Sequence, residues 1–169
     1  LRSSLAAVIL RMKSLGLAEI GEFPFIDAPA PKAVADGYAL LQELGALDEH
    51  QFLTDIGRQL ARLPLDPRIG RMVLAAKAEG SLAEVLVIAA ALSVQDPRER
   101  PMDRAQAADM AQKRFDHEKS DFIAFLKLWK FFEEALAHKK SNRRLREDCQ
   151  ALFLSHLRMR EWRDVHAQL

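Results

Sequence analysis

Leu53-Thr54-Asp55-Ile56-Gly57-Arg58, followed closely by Leu63-Pro64-Leu65-Asp66-Pro67, holds two helix starts within one short span. Thr54 is suited to cap a short helix carrying Ile56 and Leu60, because a threonine hydroxyl can accept an otherwise unpaired first-turn N–H. Asp66 as cap with Pro67 at the first helical position is a second start, since proline's fixed φ suits that position and its missing N–H costs nothing there. Leu63-Pro64-Leu65 between them is a rigid junction.

Working upstream, Ala46-Leu47 and Phe52-Leu53 read as two very short strands joined by the polar turn Asp48 to Gln51. Before them, helical spacing from Lys32 offers Val34, Tyr38, Leu41 and Leu44 to a core, with Gly45 as terminator. Phe23-Pro24-Phe25 and Asp27-Ala28-Pro29-Ala30-Pro31 form an extended connector whose two aromatics are expected to dock on a neighbouring surface. The first segment sets Leu5, Val8, Ile9 and Met12 on one helical face and ends at Gly16. Helix, small hairpin and helix in this order indicate a winged-helix-like unit.

Downstream, the helix from Pro67 turns Ile69, Met72, Val73 and Ala76 inward and stops at Gly80. Ser81 and Glu84 have capping-box spacing. Leu82, Val85, Leu86, Ile88, Ala89 and Leu92 are apolar nearly all round, as in a buried central helix. After the polar loop Gln95 to Pro101 come a polar helix from about Asp103 to Arg114 and a long helix capped by Ser120 or Asp121. That long helix bears Phe122, Phe125, Leu126, Trp129, Phe132 and Leu136. A further helix is capped by Ser141 and turns Leu145, Cys149, Leu152 and Phe153 inward, and a last one carries Met159, Trp162, Val165, His166 and Leu169. The fold class is therefore mainly α: a small winged-helix-like unit followed by a helical bundle.

The 169 residues are 49% hydrophobic and 29% charged, the balance of a globular chain. Lys plus Arg at 25 against Asp plus Glu at 24 excludes a whole-chain basic signature, so any nucleic-acid argument rests on local patches. Cys149 is the single cysteine, so no internal disulfide exists and a reducing, cytoplasmic setting is expected. No apolar run approaches the ~20 residues of a membrane span. The chain opens without methionine inside a helical pattern and closes in one, so a longer parent polypeptide is expected.

The seven glycines form neither GxxxxGK[ST] nor GxGxxG, and no HExxH or paired-cysteine spacing occurs. His156 and His166 lie too far apart in sequence to suggest a metal site. Cys149 among inward-facing apolar residues reads as a buried structural thiol. Asp116, Glu118 and Asp121 read as a solvated loop with a helix cap. No catalytic residues, cofactor ligands or metal ligands are assigned.

Basic residues carry more information. Between 139 and 164, Lys139, Lys140, Arg143, Arg144, Arg146, Arg158, Arg160 and Arg163 face only Glu147, Asp148, Glu161 and Asp164. Such a patch suits phosphates, because a guanidinium can donate two parallel hydrogen bonds. A solvated helix face laced with i,i+4 ion pairs is the other reading. Arg68, Arg71, Arg98 and Arg100 share this double reading. Trp129, Phe132 and Trp162 could stack on bases, although their helical spacing favours a core.

These residues resemble a known family. The ordered run from Leu53-Thr54 through Gly57-Arg58 and Ala61 to Leu63-Pro64-Leu65-Asp66-Pro67 is similar to a signature of DEAH-box RNA helicases. Phe23-Pro24-Phe25-Ile26-Asp27-Ala28-Pro29 resembles that family's entry to its winged helix, and Ala89 to Val94 one of its helix ends. Gln95 to Pro101, with Arg160-Glu161-Trp162, is similar to the bacterial HrpA-type subgroup. The resemblance implies the closing helix of a second RecA-like motor domain and a connector over 1–23, a winged helix over 24–65, and a ratchet-like helical bundle over 66–169.

It also implies a role as the non-catalytic, helicase-associated region of an ATP-dependent 3′-to-5′ RNA helicase, helping to form the single-stranded RNA channel and to couple motor movement to translocation. No cofactor is expected in this chain, since ATP and Mg would belong to the motor domains. The implied partners are single-stranded RNA, or DNA, the RecA-like motor domains and a C-terminal oligonucleotide-binding fold, with no membrane. Arg158, Arg160 and Arg163 are the first choices for RNA contact, with Arg143 and Arg144 second. A protein-interaction adaptor that touches no nucleic acid is the alternative function.

Overall fold

A computed structural model describes residues 4–138 and 141–169. Its helices are α1 (Leu5–Ser14), α2 (Pro31–Glu43), α3 (Asp55–Leu60), α4 (Pro67–Ala78), α5 (Leu82–Leu92), α6 (Ala105–Gln112), α7 (Asp121–Ala137), α8 (Asn142–Ala151) and α9 (His156–Gln168). Two 3-10 turns, Met102–Arg104 and Lys113–Phe115, flank α6. The chain resolves into two compact units, the first ending at Ala75 and the second running Ala76–Leu169.

In the first unit, α1 packs on α2 over a core of Ala6, Ile9, Leu10 and Met12 with Ile20, Leu41, Ala46, Leu47 and Leu60. Gly16 (φ 64°) and Gly45 (φ 70°) stand just past the ends of α1 and α2, in a left-handed conformation that glycine adopts without a Cβ penalty. The expected hairpin is smaller than two strands. Leu47 and Leu53 form one isolated antiparallel bridge, because Asp48 turns the chain at once by accepting from the backbone N–H groups of His50 and Phe52. Phe23 and Phe25 lie against each other at 4.8 Å, and only Phe25 also packs on the core.

The central motif explains itself locally. The Thr54 hydroxyl accepts from Gly57 N at 3.0 Å and capped α3 begins there. The same hydroxyl donates to Gly45 O at 2.5 Å, tying the start of α3 to the end of α2. A Cβ on Gly57 would collide with the Ala46 carbonyl, so this approach requires glycine. Asp66 accepts from Arg68 N at 3.0 Å, and its own carbonyl accepts from Gly70 N at 2.8 Å, opening α4.

In the second unit, α5 packs on α7 and α9, and α8 packs on both α7 and α9. Phe132, Leu128, Leu145, Cys149, Leu154, Met159 and Trp162 are fully buried there. Trp162 Nε1 donates to Val87 O at 2.9 Å, so the largest buried side chain leaves no unpaired donor. Ser120 and Ser141 cap α7 and α8 through their side chains. Ser81 precedes α5 but makes no side-chain cap, because its backbone (φ −114°, ψ 27°) is not the extended conformation of a capping residue. Leu92, expected in a buried central helix, is 40% exposed, and Phe122 at the start of α7 is 43% exposed.

Candidate nucleic-acid interface

Helix α9 carries three of the nominated arginines, and its rotation is fixed by Met159 and Trp162, both completely buried. Side chains advance by about 100° per residue, so Arg158 and Arg160 point about 200° apart. Arg160 and Arg163 are neighbours on one exposed edge. The trio is therefore split into an outward pair and a residue on the opposite flank.

Arg158 is committed to the fold. Its Nη1 donates to Asp96 O at 3.0 Å, bridging 62 positions of sequence. Asp96 in turn accepts from Arg98 Nη2 at 2.6 Å, Arg98 Nε at 3.0 Å and Arg98 N at 2.8 Å. Burial pushes the Asp96 carboxyl up, but the Arg98 hydrogen bonds outweigh it and hold the group below its ordinary value. Arg98 also lies 5.3 Å from the centre of the Phe125 ring. Its double reading resolves here to a loop-closing ion pair.

This loop is clasped to the α8–α9 turn. Arg98 and Leu154 form an antiparallel bridge, Glu99 N donates to Phe153 O and Ser155 N to Pro97 O, each at 2.8 Å. Gln112 Nε2 donates to both Glu99 O and Phe153 O at 3.0 Å. Phe153 sits at φ 53°, a left-handed conformation costly for a bulky residue, and Arg104 covers its ring at 5.3 Å. Ser155 caps α9 by accepting from Arg158 N.

Arg163 is held differently. Its Nε lies 3.3 Å from Glu133 Oε1, an oxygen shielded from solvent on α7 that makes no hydrogen bond among the described residues. The separation satisfies an ion pair but the contact does not meet the geometry of a hydrogen bond. Arg160 is exposed and makes no hydrogen bond or ion pair with the described residues. Arg143 and Arg144 occupy the first turn of α8. Arg143 Nε pairs with Glu147 at 3.0 Å, and Arg144 reaches Asp148 at 3.3 Å and Glu147 at 3.8 Å. These are i,i+3 and i,i+4 surface pairs, which contribute only ~0.3–0.5 kcal/mol each and leave both cations in water. Lys139 and Lys140 lie outside the described residues.

The aromatic candidates for base stacking belong to the core. Phe132 and Trp162 are fully buried, and Trp129 is packed against Trp162 at 5.3 Å and His166 at 4.6 Å. Cys149 is buried, with its thiol pushed up to about 11 by burial and by the Asp148 charge. Arg71 Nε donates to Leu44 O at 3.2 Å, and Arg100 pairs with Asp109 at 2.7 Å. Among the described residues no three of His, Cys, Asp and Glu converge as metal ligands, and no helix is long and apolar enough to cross a membrane. Glu133 and Gln112 escape a sequence reading because their partners lie 30 and 41 positions away, a separation that no local spacing reveals. Ser155 carries a legible cap signal.

Comparison with known proteins places these elements. The winged-helix part of the helicase-associated domain (HA2) matches residues 38–65, and its ratchet-like part matches residues 66–125. The two run without a gap over more than half of the chain. The ATP-dependent RNA helicase HrpA homolog of Haemophilus influenzae is 47% identical over 176 aligned residues, which take in 100% of this chain. The ATP-dependent RNA helicase HrpA of Escherichia coli is 48% identical over 174, again taking in 100% of this chain. The chain spans 13% of the length of each of these relatives. It belongs to the helicase-associated (HA2) family, with the winged-helix and ratchet-like parts in that order, and is related over its whole length to HrpA-type ATP-dependent RNA helicases.

Proposed function

We propose that this chain is the helicase-associated region of a longer, cytoplasmic ATP-dependent RNA helicase of the DEAH-box class. In this reading it performs no catalysis. It forms part of the single-stranded RNA channel and couples motor movement to net 3′-to-5′ translocation. ATP and Mg belong to RecA-like motor domains elsewhere in the polypeptide, since the glycines of this chain make no phosphate loop. The oligonucleotide-binding fold expected after the bundle also lies outside the chain.

The observation that carries the proposal is the similarity, over the whole of this chain at 47–48% identity, to part of two proteins named as ATP-dependent RNA helicases. The outward pair Arg160 and Arg163 on α9 supports it physically, with Arg143 and Arg144 as further cations. Contacts from such residues go to phosphates, which favours affinity over sequence preference. Arg158 serves this surface as a brace through its bond to Asp96.

The test is RNA-stimulated ATP hydrolysis by the helicase that carries this chain. Arg160→Ala with Arg163→Ala should raise severalfold the RNA concentration needed for half-maximal stimulation. An unchanged value would remove the RNA-channel role from this edge and favour a protein-docking adaptor.

A further inference from the structure

We infer that Glu133 acts as an internal competitor for RNA, holding Arg163 in the absence of nucleic acid and surrendering it to a phosphate when RNA binds. The inference rests on the proposed RNA-channel role and assigns a regulator to that surface.

Three observations carry it. First, among the described residues Arg163 is the one nominated arginine whose carboxylate partner comes from a different helix, α7, rather than from its own. The contact therefore fixes where the guanidinium rests instead of merely neutralising a helix face. Second, the pair is poorly made. Glu133 Oε1 is shielded from solvent yet has no hydrogen bond among the described residues, only Arg163 Nε at 3.3 Å. Charge-assisted hydrogen bonds of good geometry are shorter and about twice as strong as neutral ones, so a phosphate offering a better fit can win the guanidinium. Third, Arg160 stands one turn away, exposed and unpaired among the described residues. A phosphate first held by Arg160 arrives within reach of Arg163.

The exchange has a defined electrostatic balance. Before binding, the Arg163 charge is neutralised by Glu133. After binding it is neutralised by phosphate, and the Glu133 carboxylate is left beside the complex without its cation. Glu133 thus weakens the RNA complex twice, by occupying Arg163 beforehand and by facing the bound phosphate afterwards. Such an arrangement makes release easier, which a surface that must let RNA slide requires.

The experiment measures the affinity of single-stranded RNA for the intact helicase across a salt series, for Glu133→Gln, Glu161→Gln, Arg163→Ala and the Glu133→Gln/Arg163→Ala pair. Thermal midpoints establish that each variant folds. Glu161 is exposed on α9, makes no ion pair with the described residues, and supplies the same charge change. Glu133→Gln should tighten binding about two- to fivefold, the range of an exposed ion pair. Glu161→Gln should do markedly less, and the gain should vanish when Arg163 is alanine. If Arg163→Ala weakens binding while Glu133→Gln does nothing beyond Glu161→Gln, the competitor is overturned and the RNA surface stands. If neither Arg163→Ala nor Glu133→Gln changes affinity, the RNA surface falls and takes the inference with it.

Discussion

Thr54 and Gly57 show how much a single residue decides here. The threonine hydroxyl caps α3 and also donates to Gly45 O, so Thr54→Ala removes two bonds at one stroke. It should destabilise the first unit by ~1–2 kcal/mol, read as a lower midpoint in urea. Gly57→Ala drives a methyl group into the Ala46 carbonyl and should cost at least as much, ~1–3 kcal/mol for forced overpacking. Cys149 makes a prediction of the opposite kind. Its thiol is buried and pushed up to about 11, so a thiol reagent at pH 8 should label the native chain only on unfolding. Fast native labelling would contradict its burial. The roles of Thr54, Asp66 and Cys149 are legible in the sequence, because caps and inward helical positions are local features. Gly57 is recognisable there as part of a motif, but the Ala46 carbonyl that demands it appears only once the chain has folded back.

At the scale of elements, the clasp between the 95–101 loop and the 152–155 turn governs how α9 is presented. Arg158→Ala removes the donor to Asp96 O and should cost ~0.5–1.5 kcal/mol of stability. Arg160→Ala, which breaks no bond among the described residues, should leave the thermal midpoint unchanged. Acid should loosen the same clasp. The Asp96 carboxyl is held below its ordinary value in the folded chain, so the unfolded chain binds the extra proton first as pH falls. The stabilisation is complete above the ordinary value of about 4 and is lost as pH drops through the folded-state value. Asp96→Asn should therefore show a shallower loss of thermal midpoint below pH 4 than the unaltered chain; equal slopes would contradict the assignment. Helix starts at Thr54, Asp66, Ser120 and Ser141 are readable in the sequence, and so are glycine stops at Gly16, Gly45 and Gly80. The hairpin is smaller than its apolar dipeptides suggest, since they do not reveal how tightly Asp48 closes the turn. Bonds such as Arg158 to Asp96 and Trp162 to Val87 span 62 and 75 positions and leave no trace in local periodicity.

Across the whole molecule, a net charge of +1 means that any affinity for RNA comes from arrangement rather than from total charge. Clustered arginines are visible in the sequence. Their division into a brace, an outward pair and two helix-start cations is not, because it depends on how Met159 and Trp162 turn α9 into the core. Arg160 and Arg163 of this helicase-associated region are the proposed contacts to the RNA backbone. The most direct test of these contacts is the salt dependence of single-stranded RNA affinity for the proposed parent helicase, with and without Arg160→Ala/Arg163→Ala. Each phosphate-bound cation removed should make the slope of log affinity against log salt shallower by ~0.7, about 1.4 for both, and the double variant should bind more weakly at low salt. Unchanged affinity together with an unchanged slope would contradict the account.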